Sequence, residues 1–198
     1  MSEEEVLVIP EGRLALLGNF SGFRPFNQEA LDALLNPDFM EFRPRSTVEE
    51  DPTFKQLIPY ALLQTEDSAG VSVFQYTRGK GQGEKRLHAL RSIGIGGHIS
   101  REDADGDDLY RSGMLRELNE EVVLDTEYEE ELVGFIYDDS SPVGRVHLGV
   151  VHRLKLHSPA VKNREADIAE SGFVPVRDML KSLDAFETWS QICLTNLF

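Results

Sequence analysis

The spacing of apolar residues divides the chain into predicted strands and helices. Short runs rich in branched and aromatic residues predict strands at VLVIP, LIPYALLQT, VSVFQYTR, LVGFIYDD and RVHLGVVHRLKLH. Helical spacing is present in NQEALDALL, between Asp107 or Asp108 and about Val122, and in the tail from about Val176. Strands on both sides of a central helix, followed by further helix, predict a mixed α/β layered domain.

The segments between these elements predict loops and one domain. FRPRSTVEEDPTF contains two prolines, RGKGQGEKR has the glycine and charge content of an exposed connection, and SSPVG predicts a turn. No repeat and no long Pro/Gly/Ser-rich linker divides the chain. We therefore expect a single compact unit, with an N-terminal extension (residues 1–56) packed on the main domain (residues 57–198).

The central helix combines an apolar stripe with a cluster of carboxylates. At 100° per residue, one stripe is apolar and is expected to face the core: Met114, Leu115, Leu118 and Val122. An adjoining arc carries three acids: Glu117, Glu120 and Glu121. Like charges at this spacing repel unless a cation lies between them, and hard oxygen ligands select Mg²⁺ or Mn²⁺. The pattern predicts a divalent metal site, with Arg116 placed to hold one carboxylate.

A solvated acidic helix face is the competing interpretation, and it is the commoner one for RELNEEV taken alone. The residues upstream change that balance. In SIGIGGHI, Gly94, Gly96 and Gly97 follow an apolar run, where backbone can approach a metal or a phosphate without side-chain obstruction. A glycine-rich turn that leads into a carboxylate helix favours the metal site.

The segment from Gly97 to Leu124 resembles the Nudix box of the Nudix hydrolases. The pattern of that box is G-x5-E-x7-R-E-U-x-E-E-x-G-U, in which U is a bulky aliphatic residue. Its second half matches from Arg116 to Val122, with Val123 where the pattern has glycine. Counting back from Arg116 places Asp108 at the first glutamate, so ten residues instead of five separate it from Gly97. The loop would then carry a five-residue insertion.

The resemblance implies an α/β/α sandwich around a mixed β-sheet, and Mg²⁺-dependent (or Mn²⁺-dependent) attack of water on a diphosphate joined to another moiety. It implies metal ligation by three carboxylates and one carbonyl: Glu117, Glu120, Glu121 and Gly96. It also implies that Arg116 is the orienting cation. Gly97 and His98 are candidate substrate-binding residues, although a structural role for His98 is an equal alternative.

The general base is open between a helix glutamate and a later acid. KNREADIAESGF offers Glu165, Asp167 and Glu170 before the apolar GFVPV, and Glu165 is the preferred candidate. The competing interpretation for each of these acids is a solvated loop residue. Three further histidines (His147, His152 and His157) lie five residues apart, so along a strand they alternate faces and cannot converge on one metal.

Composition and charge limit the partners. The chain has 198 residues, 40% of them hydrophobic, and 20 basic against 35 acidic residues give a formal net charge of −15. That charge opposes unaided binding to nucleic-acid duplexes or to anionic lipid, so the expected partner is a small phosphorylated molecule, with a homodimer possible by family analogy. The acidic N-terminus, the lack of a long apolar run and a lone Cys193 predict a cytoplasmic protein.

Two functions other than hydrolysis are alternatives for this sequence. The fold could serve as a catalytically silent metabolite-binding or partner-binding module, which the altered box favours slightly and the intact carboxylate set opposes. Isoprenoid diphosphate isomerisation would need a cysteine near the substrate, and Cys193 lies far beyond the box.

Overall fold

A computed structural model of the protein describes residues 3–78, 90–106, 108–164 and 168–198. These ranges contain twelve strands: β1 (Glu5–Pro10), β2 (Gly22–Pro25), β3 (Glu41–Pro44), β4 (Phe54–Asp67), β5 (Gly70–Arg78), β6 (Arg91–Ser92), β7 (Gly94–Ile95), β8 (Val122–Leu124), β9 (Tyr128–Tyr137), β10 (His147–Leu156), β11 (Val161–Asn163) and β12 (Ile168–Pro175). They contain six α-helices: α1 (Gln28–Leu34), α2 (Arg45–Val48), α3 (Leu109–Glu121), α4 (Pro142–Val146), α5 (Val176–Met179) and α6 (Thr188–Leu197). Short 3-10 helices cover Glu11–Leu17, Arg101–Asp105 and Leu180–Ala185.

Ten of these strands belong to one sheet. β12, β5, β4, β10, β9 and β2 follow one another in it, and β1, β3, β6 and β7 are attached to this series. β11 and β8 form a separate antiparallel pair. The chain is therefore a mixed α/β protein with a large mixed sheet and flanking helices, which confirms the predicted fold class.

The chain divides into two compact units, each built from separated segments. Unit 1 consists of Met1–Tyr60, Gly96–Glu117 and Leu132–Val151. Inside it, β1 pairs antiparallel with β3 and β4, and β2 pairs antiparallel with β9. The main core of unit 1 draws residues from all three segments: Leu7, Ile9, Leu14, Leu17, Ala30, Leu31, Leu34, Leu57, Ile99, Tyr110, Phe135, Tyr137, Leu148 and Val150.

Unit 2 consists of Ala61–Ile95, Leu118–Glu131 and His152–Phe198. β5 lies at the centre of its pairing, because it joins antiparallel to β4, β6 and β12. The core of unit 2 also collects residues from every segment: Ala61, Leu63, Phe74, Tyr76, Ile95, Leu118, Val122, Leu154 and Leu156. No helix in the ranges that the structure describes is both long and apolar enough to cross a membrane.

Most elements predicted from the apolar spacing are present. The five predicted strands correspond to β1, β4, β5, β9 and β10, and the three helical segments to α1, α3 and the α5–α6 tail. On the central helix, Met114 and Leu118 are buried as expected, whereas Leu115 is half-buried. Val122 is also buried, but it is the first residue of β8 and not the end of the helix. The predicted connection RGKGQGEKR lies outside the described residues from its first glycine onward.

Two predicted loops are wrong. FRPRSTVEEDPTF forms β3 and α2, because its first part pairs with β1 through Leu7↔Phe42 and Val6↔Arg43. Pro44 ends the strand, and its fixed φ suits the residue before a helix. SSPVG was predicted to be a turn, but its last three residues begin the short helix α4, which Ser141 caps by accepting a hydrogen bond from the Gly144 N–H.

The tail is attached through a buried acid at the start of α6. Glu187, which is 8% exposed, accepts hydrogen bonds from the backbone N–H groups of Trp189 (2.8 Å) and Ser190 (2.9 Å). The Ser190 hydroxyl in turn accepts from the Ile93 N–H at 2.9 Å. The cap of α6 and the residue between β6 and β7 therefore share one hydrogen-bond network in unit 2.

Glu187→Ala is expected to lower the free energy of unfolding by about 1–3 kcal/mol, because it removes the cap of α6 from a buried position. The measurement is the urea midpoint at neutral pH. Thr195→Ala is the matched control, since Thr195 is exposed on the same helix and its hydroxyl donates to the Gln191 carbonyl one turn earlier. Equal midpoints for the two variants would show that the cap does not hold the tail.

Candidate functional site

Arg116 is the centre of a polar cluster in unit 1. Its guanidinium binds Asp103 through two hydrogen bonds, Nε to Oδ1 at 2.8 Å and Nη2 to Oδ2 at 3.0 Å. Nη2 also donates to the His98 carbonyl at 2.8 Å, and Nη1 donates to Oε1 of Glu117 at 2.9 Å. The Arg116 side chain thus connects α3 to the loop that precedes it, and it also binds the carboxylate of the next residue, Glu117.

The charges in this cluster stabilise one another. The hydrogen bonds from Arg116 to Asp103 raise the pKa of the guanidinium, and although burial acts in the opposite direction the net shift is upward. Burial also disfavours the Asp103 carboxylate, but hydrogen bonds from Arg116 and from the Ser100 N–H outweigh it and lower the pKa of Asp103. Both groups therefore stay ionised, and most of the charge of Arg116 is neutralised within the protein.

Local sequence explains how Asp103 reaches Arg116. Ser100 and Asp103 form a capping box at the start of the 3-10 helix Arg101–Asp105, and the Ser100 N–H donates to Oδ2 of Asp103 at 2.8 Å. Gly113 on α3 permits the loop to lie close to the helix, because a Cβ there would be 2.9 Å from Oδ2 of Asp103 and 3.0 Å from Ile99. This loop fills the face of α3 beside Gly113.

Asp103 corrects the assignment of the acidic position in the box. Asp108 was predicted to replace the first glutamate, but its carboxylate instead accepts from the Arg111 N–H at 3.0 Å and caps α3. Five residues separate Gly97 from Asp103, which is the spacing of the pattern. The insertion therefore follows the acid instead of preceding it. Counting forward from Gly97, together with the Ser100/Asp103 capping box, would have found this residue.

The two glycines before the loop allow close approaches. A Cβ on Gly97 would lie 2.3 Å from Oε2 of Glu117, so the carboxylate occupies the space that a side chain would need. A Cβ on Gly96 would lie 1.8 Å from the carbonyl oxygen of Pro59, which is fixed backbone. Glycine is therefore required at position 96 for packing, and at position 97 for the present placement of Glu117.

The remaining predicted acids lie further along the chain. Glu120 and Glu121 are in the last turn of α3, where Glu120 is exposed and Glu121 half-buried. The Glu121 carbonyl accepts from the Arg164 N–H at 2.9 Å. Glu165 and Asp167 lie outside the described residues. In the described part of the chain, no three His, Cys, Asp or Glu residues are grouped so that they could hold a metal ion, and the ligand set remains a prediction.

His98 is paired with a histidine that sequence reasoning did not connect to it. The Nε2 atoms of His98 and His147 lie 3.2 Å apart, and Nδ1 of His147 lies 2.8 Å from the Val143 carbonyl. Burial, followed by the positive charge of Arg45, lowers the pKa of His98. Burial also lowers the pKa of His147, against the Val143 hydrogen bond. Both rings are therefore neutral at physiological pH.

The other two strand histidines lie elsewhere. His152 is buried on β10 with Nδ1 2.9 Å from Oε1 of Glu130, and His157 is exposed beside Glu127.

Comparison with known proteins decides the family. No family model matches the chain. Protein YmaB of Bacillus subtilis is 37% identical over 167 residues, which are 80% of this chain and 78% of YmaB. Tm1382, a crystal structure classed with the Nudix hydrolases, is 32% identical, with a TM-score of 0.78 over 98% of this chain and all of the other. The chain belongs to the Nudix hydrolase family. The Arg116 cluster therefore lies in the part of this Nudix protein that resembles the Nudix box.

A more distant structure shares the fold. The Nudix domain of NrtR from Shewanella oneidensis, solved with ADP ribose, is 17% identical, with a TM-score of 0.51 over 79% of this chain and 88% of that domain. At this identity the likeness concerns the fold alone.

Asp103→Asn is expected to lower the free energy of unfolding by about 1–3 kcal/mol at pH 7, because it leaves the buried side of Arg116 without its anionic partner. The folded pKa of Asp103 is lowered, so its contribution is complete above the unfolded pKa of about 3.9. It is lost as the pH falls through the folded pKa. Urea unfolding of the wild type and the variant at pH 7 and at several acidic pH values measures this difference.

The control is Asp108→Asn, because Asn also caps helices and Asp108 has no bond to Arg116 among the described contacts. Its stability should stay within about 0.5 kcal/mol of the wild type. An Asp103→Asn deficit that is equal at all pH values would show that the ion pair is not its cause.

Proposed function

We propose that this Nudix protein is a Mg²⁺- or Mn²⁺-dependent hydrolase that cleaves the diphosphate bond of a nucleoside diphosphate linked to a second moiety, or of a related small molecule. The observation that carries the proposal is the position of Glu117, which Arg116 fixes at 2.9 Å and whose carboxylate lies over Gly97. A metal and phosphates can approach a carboxylate that lies against a glycine, because no side chain blocks them. The placement of Glu117 therefore suits a metal-phosphate site.

The donor set fits a hard divalent cation in its chemistry. The candidate ligands offer only oxygen: the carboxylates of Glu117, Glu120 and Glu121 and the carbonyl of Gly96. Because Gly97 has no side chain, the Glu117 carboxylate can lie directly against its backbone. Mg²⁺ and Mn²⁺ accept such ligands, with water and substrate phosphate at the remaining positions. When bound, the cation would stabilise charge on the phosphate oxygens and acidify water.

Arg116 acts in this proposal as a positioning residue. Asp103 and the His98 carbonyl bind most of its donors, so its role is to orient Glu117 and not to neutralise substrate phosphates. Fixing the carboxylate before substrate arrives lowers the cost of organising the site during the reaction. A protein with a net charge of −15 needs cations at a phosphate site, and a bound metal would supply them.

The general base proposed is Glu165, which lies outside the described residues. The residues just before it in the sequence have defined contacts. Arg164 donates its backbone N–H to the Glu121 carbonyl, and Asn163 accepts a hydrogen bond of 2.7 Å from the Ser171 hydroxyl. Glu170 is the alternative, because this exposed acid has a left-handed backbone (φ 45°) at the irregular part of β12. Glu165 and Glu170 both lie close in sequence to Arg164, whose backbone N–H binds the Glu121 carbonyl at the end of α3.

Binding without turnover is the second candidate function. The ion pair between Arg116 and Glu117 favours it, because that contact competes with a metal for one carboxylate oxygen. A fold neighbour, the NrtR Nudix domain, was solved with ADP ribose. The same assay separates the two functions.

The test is release of phosphate or nucleoside monophosphate from ADP-ribose, nucleotide sugars, dinucleotides, dinucleoside polyphosphates and nucleoside triphosphates, with Mg²⁺, Mn²⁺ or EDTA. We expect metal-dependent cleavage of one class. Glu120→Gln and Glu121→Gln should each lower its turnover by about 100-fold or more, because each removes a charged ligand that stabilises the transition state.

Glu129→Gln is the matched control, since it removes one carboxylate from an exposed position on β9. Comparison of Glu165→Gln with Glu170→Gln in the same assay identifies the base. Near-normal turnover in both Glu120→Gln and Glu121→Gln would contradict the metal assignment. If no compound is cleaved while ADP-ribose still raises the melting temperature, the protein is a binding module.

A further inference from the structure

The loop between Gly97 and α3 is bound by the N-terminal strand as well as by the candidate site. The His98 carbonyl accepts a hydrogen bond from Nη2 of Arg116 at 2.8 Å. The next carbonyl, that of Ile99, accepts from the Leu7 N–H of β1, also at 2.8 Å. Neighbouring carbonyls of the loop therefore bind the Arg116 cluster and β1, so the position of the loop beside Arg116 depends on its position along β1.

The contact between β1 and the loop continues towards Asp103. Val6 forms an antiparallel bridge with Ser100. One step further, Glu5 accepts two hydrogen bonds from Arg101, one from Nε and one from Nη2 at 3.2 Å. Ser100 is also the residue whose N–H donates to the Asp103 carboxylate. The segment that β1 binds is therefore the segment that places the acidic partner of Arg116.

Side-chain packing extends this contact to β3 and to α3. The guanidinium of Arg101 lies 4.8 Å from the centre of the Phe42 ring, and Phe42 pairs with Leu7 across β3 and β1. Ile99 and Leu7 are fully buried in the same core. Ile99 also packs on α3, since a Cβ on Gly113 would be 3.0 Å from two of its carbons. A shift of β1 would therefore move the loop against the helix of the candidate site.

We propose that β1 is a positioning strand of the candidate metal site. Glu5 and Arg101 are its positioning residues, because they align the loop so that Asp103 meets Arg116. This inference rests on the proposed function, and it gives the N-terminal extension a part in metal binding. All of these residues belong to unit 1. Arg116 in turn fixes Glu117, so the alignment of the loop determines where that carboxylate is offered to the cation.

Charge and alignment predict opposite results when Arg101 is replaced. A positive charge near a cation site repels the cation, so its removal without any other change would strengthen metal binding. Loss of alignment would weaken metal binding, because Glu117 would no longer be held in place. Arg101→Met keeps the aliphatic stem and removes every donor, so the direction of its effect distinguishes the two causes.

The first test is titration with Mn²⁺, followed by the EPR signal of the free ion. We expect Arg101→Met to bind Mn²⁺ about two- to fivefold more weakly than the wild type. The urea midpoint should move by less than about 0.5 M, because the side chains of Arg101 and Glu5 are 59% and 35% exposed. Unchanged or stronger Mn²⁺ binding by Arg101→Met would refute the inference.

Glu4 provides the matched control for Glu5. Both acids are next to each other in the chain and form ion pairs, but Glu4 binds Arg45 of α2 at 2.9 Å and not the loop. Glu5→Gln should weaken Mn²⁺ binding about two- to fivefold, and Glu4→Gln less than about 1.5-fold. Equal losses would show that lost charge, and not alignment, is the cause.

An exchanged ion pair provides the rescue. The double variant Glu5→Arg with Arg101→Glu restores opposite charges across β1 and the loop, so it should bind Mn²⁺ more tightly than either single variant. In an Asp103→Asn background, Arg101→Met should cause less than about 1.5-fold further loss, because the path through Asp103 is already broken. Weaker binding by the exchanged pair, or a full additional loss in that background, would contradict the proposed path.

A test without metal reads the alignment itself. Nε of Arg116 donates to Asp103 at 2.8 Å, so its hydrogen should exchange slowly with water in NMR spectra of the metal-free protein, and Arg116→Lys assigns the signal. Arg101→Met should make this exchange at least about twofold faster, and an unchanged rate would refute the inference. Failure of the proposed function differs, because no compound would be hydrolysed while Mn²⁺ binding and the Arg116 signal still respond to Arg101→Met.

Discussion

The bidentate bond between Arg116 and Asp103 is the contact on which the candidate site depends. It connects α3 to the loop that follows Gly97, and the same guanidinium holds the His98 carbonyl and Glu117. A planar guanidinium has its donors in fixed directions, so binding Asp103 through two of them also fixes where the others point. The position of one acidic ligand candidate is therefore a consequence of a structural ion pair, and loss of Asp103 should act on Glu117 through Arg116.

Close packing of backbone provides the space for this arrangement. Gly113 lets the loop approach α3, Gly96 lies against the Pro59 carbonyl, and Gly97 leaves room for the Glu117 carboxylate. In unit 2, the residues before these glycines are fixed separately: the Gly94 carbonyl accepts from the Tyr76 hydroxyl at 3.0 Å, and the Ile93 N–H donates to Ser190. Small side chains and satisfied backbone groups, more than charge alone, determine where the carboxylates can be.

Sequence patterns predicted the features of the fold that depend on residues close together in the chain. The buried positions Met114 and Leu118 of α3 and the run Arg116 to Val122 depend on residues within a few turns, and the sequence predicted them. Asp103 was missed because counting back from Arg116 assumed that the insertion preceded the acid. The contact between His98 and His147 spans 49 positions in the chain, so no local period could reveal it. FRPRSTVEEDPTF was read as a loop because its strand is defined only by pairing with β1.

We infer that Arg116 and Asp103 prepare Glu117 and its neighbours to bind a divalent cation. Titration with Mn²⁺, followed by the EPR signal of the free ion, measures this without a substrate. We expect the wild type to bind Mn²⁺ and folded Asp103→Asn to bind it about 10- to 100-fold more weakly, since Asp103 orients a ligand through Arg116. Equal affinity in the two proteins, or no binding by the wild type at millimolar Mn²⁺, would contradict the claim.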